Sequence, residues 1–111
     1  MNDISRLEID TSKRDQSTVR LSCAGKVYEK KSSQIKGSSQ QVLPLIEMIL
    51  KDAHCTLDDI KDIHVHTGPG SYTGLRVGIA IASALGLLLQ KNVNGSPDEL
   101  PEIQYEKDPW V

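Results

Sequence analysis

The order of elements along the chain predicts an α/β fold with a mixed sheet and two main helices. Three short segments with strand-like patterns come first, then a helical segment, a further strand and a long apolar helix. Helices that follow strands in this way are typical of a sheet with helices packed on it. A length of 111 residues indicates a single domain.

The first three strands are expected to form an antiparallel meander. The first covers residues 4–10, and the second, residues 17–23, alternates cleanly between apolar and polar side chains. A tight turn at residues 24–25 leads into the third strand, residues 26–31.

Two helices are predicted, over residues 39–54 and 72–90, with a strand over residues 60–66 between them. Ser71 is placed to cap the second helix. Two flanks of the second helix are apolar, one with Leu75, Ile79, Ala82 and Gly86, the other with Val77, Ile81, Ala84 and Leu88. A sheet can cover only one flank, so we expect either a partner surface or burial of the two helices against each other.

Composition narrows the class of protein. The net charge is −2, Phe is absent and aromatic residues make up 4%, which argues against stacking on nucleic-acid bases.

Cys23 and Cys55 are the only cysteines, and the sequence opens without a secretory pattern, so we expect free thiols and a cytoplasmic location. The longest apolar run, residues 77–89, falls short of the ~20 residues that cross a bilayer, so no membrane association is expected.

A glycine-rich turn, GPGSYTG at residues 68–74, joins the last strand to the second helix. Such turns often bind anions, because backbone N–H groups at a helix start point outward. The glycine spacing fits neither the dinucleotide fingerprint nor the Walker A loop. Two interpretations stay open: an anion site that includes Gly68, Gly70 and Ser71, or a tight turn with a cap.

These motifs together resemble the bacterial TsaB (YeaZ) family. The resemblance rests on DTS at 10–12, QVLPLIEMIL at 41–50 and GPGSYTGLRVG at 68–78, and it covers roughly residues 4–95. It implies a single actin/Hsp70-like (ASKHA, ribonuclease H-like) lobe over residues 1–95. The acidic, proline-containing composition of residues 96–111 predicts an extended tail after it. The resemblance also implies a role in making threonylcarbamoyladenosine in tRNA.

By this resemblance, the chain is a non-catalytic accessory subunit. It would pair through its two helices with a TsaD-like catalytic subunit or with itself, and it would meet tRNA only indirectly. The expected interface residues are Val42, Leu45, Ile46, Ile49, Gly74, Leu75, Arg76, Gly78, Ile79, Ala82 and Gly86.

Two alternatives follow from the same resemblance. One is a nucleotide-binding ATPase or kinase lobe completed by oligomerisation, in which ATP or ADP binds at a partner-completed site and not on the lobe alone. Its phosphate-binding residues would be Asp10, Thr11, Ser12, Gly68, Gly70 and Ser71. The other alternative is a diverged homodimeric interaction module.

The polar residues also have an interpretation without a ligand. Residues 10–12 fit a turn in which Asp10 and Ser12 satisfy backbone groups. His64 and His66 alternate on one strand face, but no third ligand is evident nearby, so neither a metal site nor a catalytic set is expected.

Overall fold

The computed structural model describes residues 5–32 and 38–95. Its strands are β1 (Arg6–Asp10), β2 (Thr18–Cys23), β3 (Lys26–Lys31) and β4 (Asp62–Val65), in the sheet order β3-β2-β1-β4. β1 pairs antiparallel with β2, β2 pairs antiparallel with β3, and β4 runs parallel to β1. The predicted meander and mixed sheet are confirmed. The predicted tail over residues 96–111 lies outside the described residues.

The sheet has one apolar face and one polar face, because the strands alternate in register. Apolar side chains stand beside one another on the first face: Leu7 aligns with Leu21 and Ile63, and Ile9 aligns with Val19 and Val65. On the other face Glu8 aligns with Arg20 and His64. All six apolar residues are buried, so the core lies on that face alone.

Helix α1, Val42–Asp52, packs on β2 and β3. A 3-10 turn, Ser38–Gln41, precedes it, so the α-helix begins later than the predicted residue 39. Pro44 then falls in the first turn, where a backbone N–H would have no acceptor within the helix. The buried residues of α1 are Val42, Leu45, Ile46, Ile49 and Leu50.

Helix α2, Tyr72–Leu89, packs on β4 and β1. The predicted cap is confirmed, because Ser71 Oγ accepts a hydrogen bond from Gly74 N at 3.4 Å. The helix ends at Gln90 in the left-handed conformation, φ 56°. Each helix packs on the sheet, and the buried residues of both helices belong to the same hydrophobic core as the strands. The helices are therefore buried mainly against the sheet and not against each other.

The chain turns back after α2 and covers the outer edge of β4. Val93 forms a parallel bridge with Ile63. The side chain of Asn94 then accepts from Val65 N at 2.8 Å and donates to Val65 O at 3.0 Å. Together with the bond from Asn94 N to Ile63 O, these contacts give β4 hydrogen-bond partners on both of its edges.

The prediction that the apolar segment is too short to cross a membrane was wrong. α2 begins before the apolar run, and its 18 residues have the length and composition of a membrane-crossing helix. It is the one such helix within the described ranges, and 39% of it is buried in the lobe. This is weak evidence for a membrane, since a core helix of a soluble protein has the same features.

Candidate functional site

The junction between β1 and α2 brings two predicted motifs together. The backbone N–H of Ser71 donates to Ser12 O at 2.7 Å. Gly70 lies so close to this segment that a Cβ there would stand 2.6 Å from Ser12 Cβ and Ser12 O. Glycine is therefore required at the turn by the approach of another part of the backbone.

Thr11 stabilises this junction from the interior of the lobe. Its side chain is fully buried, and its Oγ1 donates to Gly74 O at 2.5 Å. A Cβ added at Gly74 or Gly78 would collide with Thr11. The hydroxyl of Thr11 is therefore already bonded inside the lobe, which favours a structural role, and its part in a phosphate site stays a prediction.

Asp10 and Ser12 satisfy each other at the end of β1. Asp10 Oδ1 accepts from Ser12 N at 2.9 Å and from Ser12 Oγ at 2.6 Å. Burial alone would raise the pKa of Asp10, but the hydrogen bonds from Ser12 and the nearby His66 and Lys13 hold it below its ordinary value. This arrangement matches the interpretation of residues 10–12 as a turn without a ligand.

The six candidate phosphate residues do not form an anion cradle by themselves. Thr11 is interior, Asp10 contributes a negative charge, and Ser12 and Ser71 bond within the junction. Gly68 has a positive φ of 116° next to a cis bond to Pro69. A nucleotide would need groups beyond these six residues, and ATP or ADP at a partner-completed site stays a prediction.

The polar face of the sheet carries a groove that the sequence analysis did not single out. Its volume is about 410 Å³. Charges of both signs line it, and Arg20 is already engaged by Glu8 at 3.3 Å and by Glu29. The outward positions of the alternating strands were the signal that could have revealed it. His64 and His66 line the groove, but within residues 5–32 and 38–95 no group of three potential metal ligands occurs.

Most of the predicted helix interface lies inside the lobe. Ten of its eleven residues are buried against the lobe's own core, and their role at a partner interface stays a prediction. They are Val42, Leu45, Ile46, Ile49, Gly74, Leu75, Gly78, Ile79, Ala82 and Gly86. Arg76 alone is exposed, and its guanidinium lies over the Tyr72 ring, 5.4 Å from the centroid.

The small residues of α2 have an internal explanation. A Cβ at Gly78 would meet Thr11 Oγ1, and one at Gly86 would stand 2.6 Å from Val93 Cγ2. The four-residue spacing therefore lets the lobe's own chain approach the helix, rather than the backbone of a partner.

The open flank of α2 is the one that contains Val77, Ile81, Ala84 and Leu88. We define the outer face of α2 as Val77, Ala80, Ile81, Ala84, Leu87 and Leu88, which are exposed or half-buried. Leu87 is 81% exposed and Leu88 is 79% exposed. The flank with Leu75, Ile79, Ala82 and Gly86 is the one buried against the lobe, so one of the two predicted apolar flanks is covered and the other is not.

Comparison with known proteins identifies relatives of this lobe. The family model for TsaD, tRNA N6-adenosine threonylcarbamoyltransferase, matches residues 27–95. The tRNA threonylcarbamoyladenosine biosynthesis protein TsaB of Buchnera aphidicola subsp. Schizaphis graminum is 35% identical over 95 residues, which are 86% of this chain and 44% of the relative. TsaB of Haemophilus influenzae is 32% identical over 85 residues, 77% of this chain and 36% of the relative.

Solved structures agree with the sequence matches. YeaZ from Pseudomonas aeruginosa superposes with a TM-score of 0.76 at 28% identity, over 81% of this chain and 42% of that chain. The mixed sheet with two helices is therefore a single ASKHA-like lobe, as predicted. The chain spans less than half the length of the TsaB and YeaZ proteins described here.

Proposed function

Because the chain belongs to the TsaB/YeaZ family, we propose that it is a non-catalytic accessory subunit in tRNA threonylcarbamoyladenosine biosynthesis. Its partner in this proposal is a TsaD-type threonylcarbamoyltransferase, and its contact with tRNA is indirect. The family supports the pathway, since the relatives carry that role in their names. We propose a cytoplasmic location for the same role.

The outer face of α2 is the observation that supports a pairing role. It presents apolar side chains along much of the helix, and the two most exposed are Leu87 and Leu88. Burying one leucine side chain contributes roughly 1.5–3 kcal/mol. A partner that covers this face would gain that free energy without disturbing the core beneath it.

The β1–α2 junction supports the non-catalytic part of the proposal. The side chains of Asp10, Thr11 and Ser12 form hydrogen bonds within the junction: Ser12 donates to Asp10, and Thr11 donates to Gly74 O. They stabilise the start of α2 and thereby hold the outer face in position. In this proposal the polar motif has a structural role, and the chemistry belongs to the partner.

A transfer assay tests the proposed role. The TsaD-type transferase of the same organism is supplied with a threonylcarbamoyl donor and tRNA, with and without this chain, and modified adenosine is quantified. We expect the chain to raise the rate, the Leu87→Glu/Leu88→Glu variant to lose this effect, and Val27→Glu to keep it. Val27 is the matched control because it is also apolar and exposed, but it lies on β3.

Two results would contradict the proposal. One is a transfer rate that does not change when the wild-type chain is added. The other is full stimulation by the Leu87→Glu/Leu88→Glu variant, which would exclude the outer face of α2.

A second copy of this chain is the alternative occupant of the same face. The same exposed leucines favour it, because an apolar surface can pair with itself. A homodimer that persists when the transferase is added in excess would support the diverged homodimeric module instead of the accessory subunit.

A further inference from the structure

The two cysteines of the chain lie side by side although 32 positions separate them. Cys23 is the last residue of β2, and Cys55 follows the C-terminal turn of α1. The backbone N–H of Cys55 donates to Leu50 O at 2.9 Å, which fixes the turn that brings the second thiol toward the sheet. Their sulfur atoms are 2.8 Å apart, and both are free thiols at partly exposed positions.

Neighbouring polar groups distinguish the two sulfurs. Ser5 Oγ donates to Cys23 Sγ at 3.6 Å, whereas Cys55 Sγ donates to Ala53 O at 3.6 Å. The hydrogen bond with Cys23, together with burial, raises the pKa of Cys55 to about 11. The two sulfurs therefore differ in geometry: Cys23 Sγ receives a hydrogen bond from a hydroxyl, whereas Cys55 Sγ donates its own hydrogen to a carbonyl oxygen.

The spacing suits a covalent bond better than a shared metal ion. Two thiolates on one tetrahedral zinc stand about 3.8 Å apart, because each Zn–S bond is about 2.3 Å. The observed sulfur separation is shorter than this, and the part of the chain that the structure describes offers no further ligand to make a group of three.

We propose that Cys23 and Cys55 form a redox modification site, at which a low-molecular-weight disulfide such as oxidised glutathione converts the two thiols into an intramolecular disulfide. The Cys23 thiolate attacks one sulfur of the reagent, forms a mixed disulfide and releases one glutathione thiolate. Cys55 then loses its proton to solvent and attacks the Cys23 sulfur, which releases the second glutathione. The two protein thiols lose two electrons, and the reagent disulfide gains them.

The cross-link would join two elements that the chain connects only through β3 and α1. It would tie the end of β2 to the C-terminal turn of α1 and so limit how far that end of the helix can separate from the sheet. Constraining the unfolded chain in this way stabilises the folded state. We therefore expect a higher Tm for the oxidised protein than for the reduced one. This inference is independent of the proposed pairing function.

The test is a titration of the native, reduced chain in buffers of defined glutathione ratio, followed by alkylation and digestion with trypsin without reduction. We expect peptide 21–26 joined to peptide 52–61 in the monomer, with two hydrogens lost. In Cys55→Ser the reaction should stop at a mixed disulfide on Cys23. Glutathione adducts or chain-to-chain dimers as the main wild-type products would overturn the inference.

A second pair of variants separates positioning by Ser5 from a general loss of structure. Ser5→Ala should slow formation of the cross-link severalfold, because it removes the hydroxyl that donates to Cys23 Sγ. Ser22→Ala, next to Cys23 in the chain, should leave the rate unchanged. Equal rates for wild type and Ser5→Ala would overturn the assignment of Cys23 as the attacking sulfur.

Discussion

Thr11 connects the sheet to α2 through one buried hydroxyl. Replacement by the nearly isosteric valine removes the donor to Gly74 O and leaves the shape of the residue. We expect Thr11→Val to lower the free energy of unfolding by about 1–3 kcal/mol, because a buried polar interaction is lost. Chemical denaturation measures this. Thr73→Val is the control: it is exposed, and its effect should stay within about 0.5 kcal/mol.

Gly78 is required by its neighbour rather than by helix propensity. In an open helix Gly→Ala would stabilise by about 1 kcal/mol. Here the added Cβ would collide with Thr11 Oγ1, so we expect Gly78→Ala to destabilise by about 1–3 kcal/mol.

A double-mutant cycle identifies the cause of this effect. Thr11→Ala removes the atoms that the new Cβ would meet, so Gly78→Ala should cost less in the Thr11→Ala background than alone. Strict additivity of the two changes would show that the collision is not the reason.

Asp10 makes the stability of the lobe depend on pH. Its pKa is below its ordinary value in the folded protein, so it contributes stability at pH values above the unfolded pKa. This contribution is lost as the pH falls through the lowered folded pKa. We therefore expect Asp10→Asn to flatten the acid side of the stability profile, measured by denaturation from pH 7 to about pH 2. Asp15→Asn, in the adjacent turn, is the control and should reproduce the wild-type slope.

The chemistry of these residues was visible in the sequence, but their partners were not. The Asp-Thr-Ser motif predicts either a ligand site or an internally bonded turn. Thr11 Oγ1 finds its acceptor 63 positions away, so only the packing of α2 on β1 decides between the two. The cap at Ser71 was predictable, because a cap depends on residues within one turn.

Among the elements, α2 shows how far an apolar pattern can predict burial. Leu75 and Leu88 belong to the same helix, but the first is fully buried and the second is 79% exposed. We expect Leu75→Ala to cost about 2–5 kcal/mol through lost contacts and a cavity. Leu88→Ala should change the free energy of unfolding by no more than about 0.5 kcal/mol. Similar losses for both variants would contradict the observed orientation of the helix.

The orientation of α2 could not be read from its sequence because both flanks are apolar. In β1 and β2, by contrast, apolar and polar residues alternate, so the sequence showed which face of each strand is buried. The small residues of α2 illustrate the same point: the spacing suggested a partner, but Gly86 faces Val93 of the same chain.

At the scale of the whole molecule, two helices cover one face of the sheet, and within residues 5–32 and 38–95 no other element covers the outer face of α2. The meander, the mixed sheet and the two helices followed from the element order. The place of β4 beside β1 did not, because it depends on how the chain crosses over through α1. The groove on the polar face arises from side chains of all four strands, so it depended on register that no single segment specifies.

The central claim is that the lobe pairs with a TsaD-type transferase through the outer face of α2. Size exclusion coupled to light scattering, on the chain mixed with the transferase of its own organism, tests it most directly. We predict a one-to-one complex for the wild type and for Val27→Glu, and separate species for Leu87→Glu/Leu88→Glu with an unchanged Tm. A complex that survives the double substitution, or none with the wild type, would contradict the account.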